Sequence, residues 1–386
     1  CICSYFLILF VISFITGKND SNSTFFLGNR NSPWFVIAYG MIGTTLSGIT
    51  FISVPGWVAS SQFSYMQMVF GFFVGYLIIS RILLPLYYKL EITSIYTYLN
   101  QRFGLRSYKT GSSFFLLSRT IGASFRLYLI ASVLQFAIFD AWNIPFAFTV
   151  FVTIALIWTY TYRSGIKTII WTDALQTTFM LSTVFIIAFI LMKNLDLDAI
   201  SLFQVLKDSD YSKVFFFDDW TSKKYFFKQF FSGVFMAIVM TGLDQDQMQK
   251  NLSCRNLKDA QKNMFTFSGI LIFVDLLFLS LGALLYIYSN KFGITIPQNP
   301  DMLFPNIAIN GGLPAFVGIL FIIGIIAAAY SSADSALTSL TTSFCVDIIE
   351  FEKQEANKQI KTRKNVHLLM SCLLFVVIMI FNCSII

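Results

Sequence analysis

Charge is what this chain has least of. Only 12% of its 386 residues are Asp, Glu, Lys or Arg, with one histidine and eight prolines. A soluble domain of this length carries about a quarter charged residues, so a water-exposed globule is excluded. The six cysteines (Cys1, Cys3, Cys254, Cys345, Cys372 and Cys383) are scattered without metal-ligand spacing. They read as small residues of apolar segments, and no disulfide framework is expected. His367 lies close to a basic loop and reads as solvated. No phosphate-binding Walker loop or catalytic triad appears, which argues against ATP-driven pumping and against an enzyme. What the chain has instead is 56% hydrophobic and 17% aromatic residues, 44 of them Phe. That is the composition of an all-α polytopic membrane protein. Its net charge of +7 is then a matter of loop topology and gives no reason to expect nucleic acid.

Apolar runs predict ten helices, at about 2–16, 33–57, 64–90, 111–139, 144–162, 168–193, 227–243, 263–289, 314–348 and 365–386. With the N-terminus outside, the loops 18–32, 89–110, 163–167, 244–262 and 349–364 face the cytoplasm. They hold seventeen of the 27 Lys and Arg against six in the outer loops, and the positive-inside rule favours this orientation. The expected location is the inner or plasma membrane, in contact with lipid. The outer loop 194–226 is mixed in charge and aromatic and carries no clear signal. The run 2–16 lacks a basic start and a small-residue cleavage site, so it reads as part of a spanning helix, an additional N-terminal one over 1–17. A first residue that is Cys1 rather than Met suggests a fragment.

Two stretches carry the chemistry. In Ala327–Cys345 (AAAYSSADSALTSLTTSFC), Ser331, Ser335, Thr338 and Thr342 share one helix face, with Asp334 beside them. Small hydroxyl-bearing residues at such spacing glue membrane helices together. They are also hard oxygen ligands, and an ionisable group at that depth tips the reading towards an ion site. The second stretch, NSPWFVIAYGMIGTTLSGITFISVPGWV, gathers Gly40, Gly43, Thr44, Thr45, Ser47, Gly48 and Thr50 at mid-depth before Pro55 and Gly56. Glycines and hydroxyls weaken the helix there, and a broken helix survives in lipid only where it lines a cavity. An ordinary glycine-rich packing helix is the alternative. On the segment starting near 111, Arg126 falls about 22 Å along, close to mid-membrane. Burying it costs roughly 2.5–3.5 kcal/mol on insertion scales. Arg119, two turns earlier, can snorkel to the cytoplasmic side.

Four motifs in order resemble the sodium:solute symporter family: GNRNSPWFV, RSGIKTIIWTDALQ (163–176), TGLDQDQMQKNLSCRNLKDAQKN (241–263) and AAAYSSADSAL (327–337). The resemblance spans nearly the whole chain and is nearest, in its substrate-site residues, to the sialic acid branch. It implies the LeuT-like fold, two inverted five-helix repeats. The first repeat would be 33–193. The second, 227–386, would be incomplete, and the chain truncated at both ends. One sodium ion is implied between the broken helix and the 314–348 helix, held by the carbonyls of Gly43, Leu46 and Ala328 and the hydroxyls of Ser331 and Ser332. A second sodium site would use Asp173 with Ser331, Asp334 and Ser335. Asp334 stands where some two-sodium members have a hydroxyl, and its alternative is a buried pair with a base. Substrate contacts would come from Thr45, Ser47 and Thr50 of the broken helix, Phe63 and Gln67 of the next, and Arg126. Arg126 matches the position that grips a substrate carboxylate, unless it pairs with Asp173 or Asp334. The loop 244–262, with Asp244 and Asp246, receives no chemistry beyond positioning. The implied activity is sodium-coupled symport of a small solute, a carboxylate such as sialic acid foremost, by a protein that works as a monomer. Proline or sugar symport, or a transporter-like sensor fused to a signalling module, are the alternatives.

Overall fold

The computed structural model describes residues 2–17, 21–135 and 139–385; Cys1 and Ile386 lie outside them, as does part of the helix end expected near 139. The described chain is a bundle of helices. In order they are α1 (Ile2–Thr16), α2 (Asn22–Leu27), α3 (Trp34–Thr45), α4 (Gly48–Gly56), α5 (Tyr65–Lys89), α6 (Thr97–Phe103) and α7 (Leu105–Leu134). Then come α8 (Phe146–Thr161), α9 (Ile166–Asn194), α10 (Ala199–Asp208), α11 (Phe226–Ala237), α12 (Gln245–Leu252), α13 (Leu257–Phe292), α14 (Leu303–Asn310), α15 (Ala315–Ser343) and α16 (Ala356–Ile385). Six helices are long and apolar enough to cross a membrane unaided. Two bent pairs, α3 with α4 at 62° and α11 with α12 at 67°, can each form one more span, and α1 and α8 are shorter apolar helices. Among the described residues, each of the ten expected segments contains helix.

The differences lie in what the loops contain. The outer loop holds α10, and its N-cap Asp198 accepts from the Ser201 amide at 2.7 Å. The stretch expected as the cytoplasmic loop 244–262 instead folds back as α12, with every one of its eight residues buried. Asp244 caps it, accepting from the amides of Asp246 at 2.9 Å and Gln247 at 3.3 Å. Periodicity did not reveal this helix because it is polar and short. His367 is also buried, with its ring nitrogens 3.0 Å from Thr161 Oγ1 and 2.8 Å from Thr341 Oγ1, so it is a core residue of α16 and not a solvated one.

Buried apolar residues fall into two separate cores. One is built by α3, α4, α5, α9, α13 and α14, and the other by α1, α2, α7, α8 and α16. Only α15 supplies a substantial share to both, with Val317, Phe321 and Ala328 in the first and Ile326, Tyr330 and Leu337 in the second. Within the first body, α5 and α11 touch backbone to backbone: a Cβ at Gly71 would strike the Phe230 carbonyl, and one at Gly233 the Met68 carbonyl.

Candidate ion and substrate site

The site forms where the interrupted helix meets α15. Helix α3 ends at Thr45, and Ser47 takes φ 20° and ψ 162° before α4 restarts. A non-glycine residue held there costs on the order of 1–3 kcal/mol, a strain that clusters at functional sites. The break withdraws backbone carbonyls from the helical ladder, which makes them available to a cation. Gly43 permits the closest approach in the site: its amide donates to Thr177 Oγ1 of α9 at 3.2 Å, where any side chain on Gly43 would collide.

The α15 serines face this break. Ser332, 1% exposed, has its hydroxyl 3.4 Å from the Thr44 carbonyl and 3.4 Å from the Ala328 carbonyl. Ser331, fully buried, donates to Asp173 Oδ1 at 2.6 Å and lies 3.2 Å from Thr44 Oγ1. Gly43, Leu46, Ala328, Ser331 and Ser332 are thus all buried at the seam of α3 and α15. The oxygens there are carbonyls and hydroxyls, the set a hard monovalent cation takes.

The second expected ion set is divided. Asp173, on α9, is 1% exposed, and its Oδ2 accepts from Lys250 Nζ at 2.6 Å; the same ammonium reaches Thr44 Oγ1 at 2.5 Å. Asp334 points the other way, where its Oδ2 accepts from the Tyr160 hydroxyl at 2.8 Å. Its Oδ1, the Ser335 hydroxyl and the Gln176 amide have no hydrogen-bond partner among the described residues. Neither carboxylate pairs with Arg126, and among the described residues no base pairs with Asp334.

The expected substrate residues also separate. Ser47 Oγ lies 3.4 Å from Thr50 Oγ1, and Thr45 and Thr50 are half-buried at the break. Gln67 is taken up by the outer segment: it donates to the Lys224 carbonyl at 2.9 Å and accepts from the Phe216 amide at 3.2 Å. The Phe63 amide likewise donates to the Lys213 carbonyl at 3.2 Å. These two hold down a loop, and the Gln67 amide has little left for a solute. Because α7 begins at Leu105 and not near 111, Arg126 sits about 31 Å along it rather than about 22 Å. Helix α7 packs on α15 and on α4, and Arg126 has no ion pair among the described residues.

Two contributors escaped the sequence reading. Lys250 reads in the sequence as one of the loop bases, and only the fold-back of α12 carries it to Asp173. Arg119, expected to snorkel, pairs instead with Asp246 and, at 3.6 Å, with Asp244 at the start of α12. The one available signal was Asp173 itself, since a buried carboxylate needs a cation.

The sodium:solute symporter family model matches residues 25–385. The sodium/sialic acid symporter NanT of Aliivibrio fischeri is 27% identical over 362 residues, covering 90% of this chain and 68% of the relative. The sodium/sialic acid symporter SiaT of Proteus mirabilis is 26% identical, covering 88% of this chain and 68% of its own. The sodium-coupled monocarboxylate transporter 1 of Xenopus laevis is 24% identical over 353 residues, covering 88% of this chain and 54% of its own. Among solved structures, an outward-open Na+-coupled sialic acid symporter superposes with a TM-score of 0.86 at 22% identity, covering 99% of this chain and 81% of the other. A nucleobase-cation-symport transporter in a closed conformation gives 0.63 at 17% identity, covering 92% and 74%. The fold is therefore the LeuT-like one, in a multi-pass membrane protein that is a transporter and not an enzyme. This chain belongs to the sodium:solute symporter family, and its activity is sodium-coupled symport.

Proposed function

We propose that the solute is a small organic carboxylate, a sialic acid foremost, and that it binds between Arg126 and the hydroxyls of Thr45, Ser47 and Thr50. The similarity to NanT and SiaT supports this, as does a guanidinium with no ion pair among the described residues, on a helix that packs against the broken one. A planar fork of donors suits a carboxylate. One sodium ion binds the carbonyls of Gly43, Leu46 and Ala328 and the hydroxyls of Ser331 and Ser332. The observation that carries this reading is the meeting of the Ser332 hydroxyl with the Thr44 and Ala328 carbonyls at the helix break.

The ion then holds α3 and α4 against α15 and organises the hydroxyl cluster, so ion and solute favour each other's binding. The two cores meet at that seam, and their relative rocking would release both on the cytoplasmic side. The working arrangement is a monomer in the cytoplasmic membrane, N-terminus outside, with repeats over 33–193 and from 227 onward. Uptake into proteoliposomes tests the reading. A sodium gradient should drive accumulation of labelled N-acetylneuraminate, and unlabelled acid, but not proline or glucose, should compete. Uptake that ignores the sodium gradient, or competition by proline or glucose, contradicts it.

A further inference from the structure

The deepest charge pair in the site joins two groups that one-ion chemistry does not need. Asp173 and Lys250 are each 1% exposed, and they come from α9 and from the folded-back α12. The ammonium bonds Asp173 Oδ2 at 2.6 Å and Thr44 Oγ1 at 2.5 Å. The other carboxylate oxygen takes the Ser331 hydroxyl at 2.6 Å, and Thr44 Oγ1 is itself 3.2 Å from Asp173 Oδ2 and 3.2 Å from Ser331 Oγ. One carboxylate and the Thr44 hydroxyl thus meet a single positive charge, and the Ser331 hydroxyl braces both of them. A metal cation would use the same three oxygen groups. We propose that Lys250 is a tethered cation occupying this carboxylate, and that it excludes a second sodium ion from Asp173.

Two unit charges a few ångströms apart in a buried site repel strongly, so an ion and the ammonium cannot share the carboxylate. The protein itself supplies the occupant without dissociation, because α12 is fixed by its Asp244 cap and by Arg119 on Asp246. Held that way, the ammonium is present at a high effective concentration that free sodium must overcome. Lys250 therefore sets the number of ions per cycle: one in this chain, and two once the ammonium is gone. Asp334 does not replace the lost ligand, since its Oδ2 is committed to Tyr160. The inference rests on the first sodium site described above.

The test is radiolabelled sodium binding, with sodium alone as the probe, to the purified full chain. The wild type should bind one ion per chain, and Lys250→Met should bind a second at least tenfold more tightly than any second ion in the wild type. Lys250→Arg, which keeps the charge, should stay at one. Lys250→Met combined with Asp173→Asn should also return to one, which separates an opened ion site from a general loosening of the fold. Should Lys250→Met fold poorly, Lys250→Gln serves in its place, and the wild-type count is decisive by itself: two tightly bound ions overturn the inference. Equal second-ion affinity in wild type and the Met variant overturns it too. Wild-type protein that binds no sodium at all overturns the proposed first site along with it, and so is distinguishable from failure of the Lys250 claim alone.

Discussion

Single hydroxyls carry the proposed ion site. Replacing Ser332 by Ala removes the oxygen that faces the Thr44 and Ala328 carbonyls. The sodium concentration for half-maximal uptake should rise about tenfold, or ~1.4 kcal/mol, measured by sodium titration of solute uptake. Arg126→Lys keeps the charge but loses the bidentate fork, so solute affinity should fall sharply rather than modestly. A substrate analogue with its carboxylate turned into an amide should bind the wild type as poorly as the acid binds Arg126→Ala, and should lose little more in that variant. Direct binding to purified protein is the measurement. The serines and Asp173 were legible because a hydroxyl run and a lone acid inside apolar segments have few other uses. Lys250 was not legible: its sequence neighbours are polar, and only tertiary folding buries it. Gln67 looked like a lining residue for the converse reason, since nothing local shows that the outer segment claims its amide.

At the scale of elements, spanning helices announce themselves by length and apolarity, and the break in the second segment by its glycines and hydroxyls. The fold-back of α12 did not, because an eight-residue polar helix looks like a loop until its partners are known. Its neighbours at the same end include a latch between α7 and α15. Lys109 Nζ reaches the carbonyl of Asp347 at 2.5 Å, that of Ile348 at 3.3 Å and Glu350 Oε1 at 2.6 Å, satisfying the end of α15 with a cation. Hydrogen bonds from Lys109 and Lys353 hold the Glu350 carboxyl down at about 2. A depressed carboxyl contributes its stabilisation above its unfolded value of 4.5 and loses it only as pH falls through about 2. The contribution of the Glu350 pair should therefore be insensitive to pH between about 8 and about 5. In a chain whose only cysteine is Cys345, buried beside this end, thiol labelling at each pH should be severalfold faster with Lys109→Met than without it, and that ratio, which cancels the thiolate fraction, should stay constant over the interval. A ratio that falls towards one below neutrality would show that the latch is not the Glu350 pair.

For the whole molecule, two apolar cores joined through α15 are what a rocking transporter needs, since each can move as a body while the seam between them opens and closes. The proposed sodium ligands sit on both sides of that seam, so the ion should stabilise one relative placement of the bodies and with it the solute site. Reciprocal linkage tests this most directly. The dissociation constant of N-acetylneuraminate should be measured on purified protein with and without saturating sodium, and that of sodium with and without saturating N-acetylneuraminate. The account predicts that each tightens the other by the same factor, tenfold or more, and that Ser332→Ala abolishes most of that factor. Solute affinity that is the same with and without sodium would contradict it.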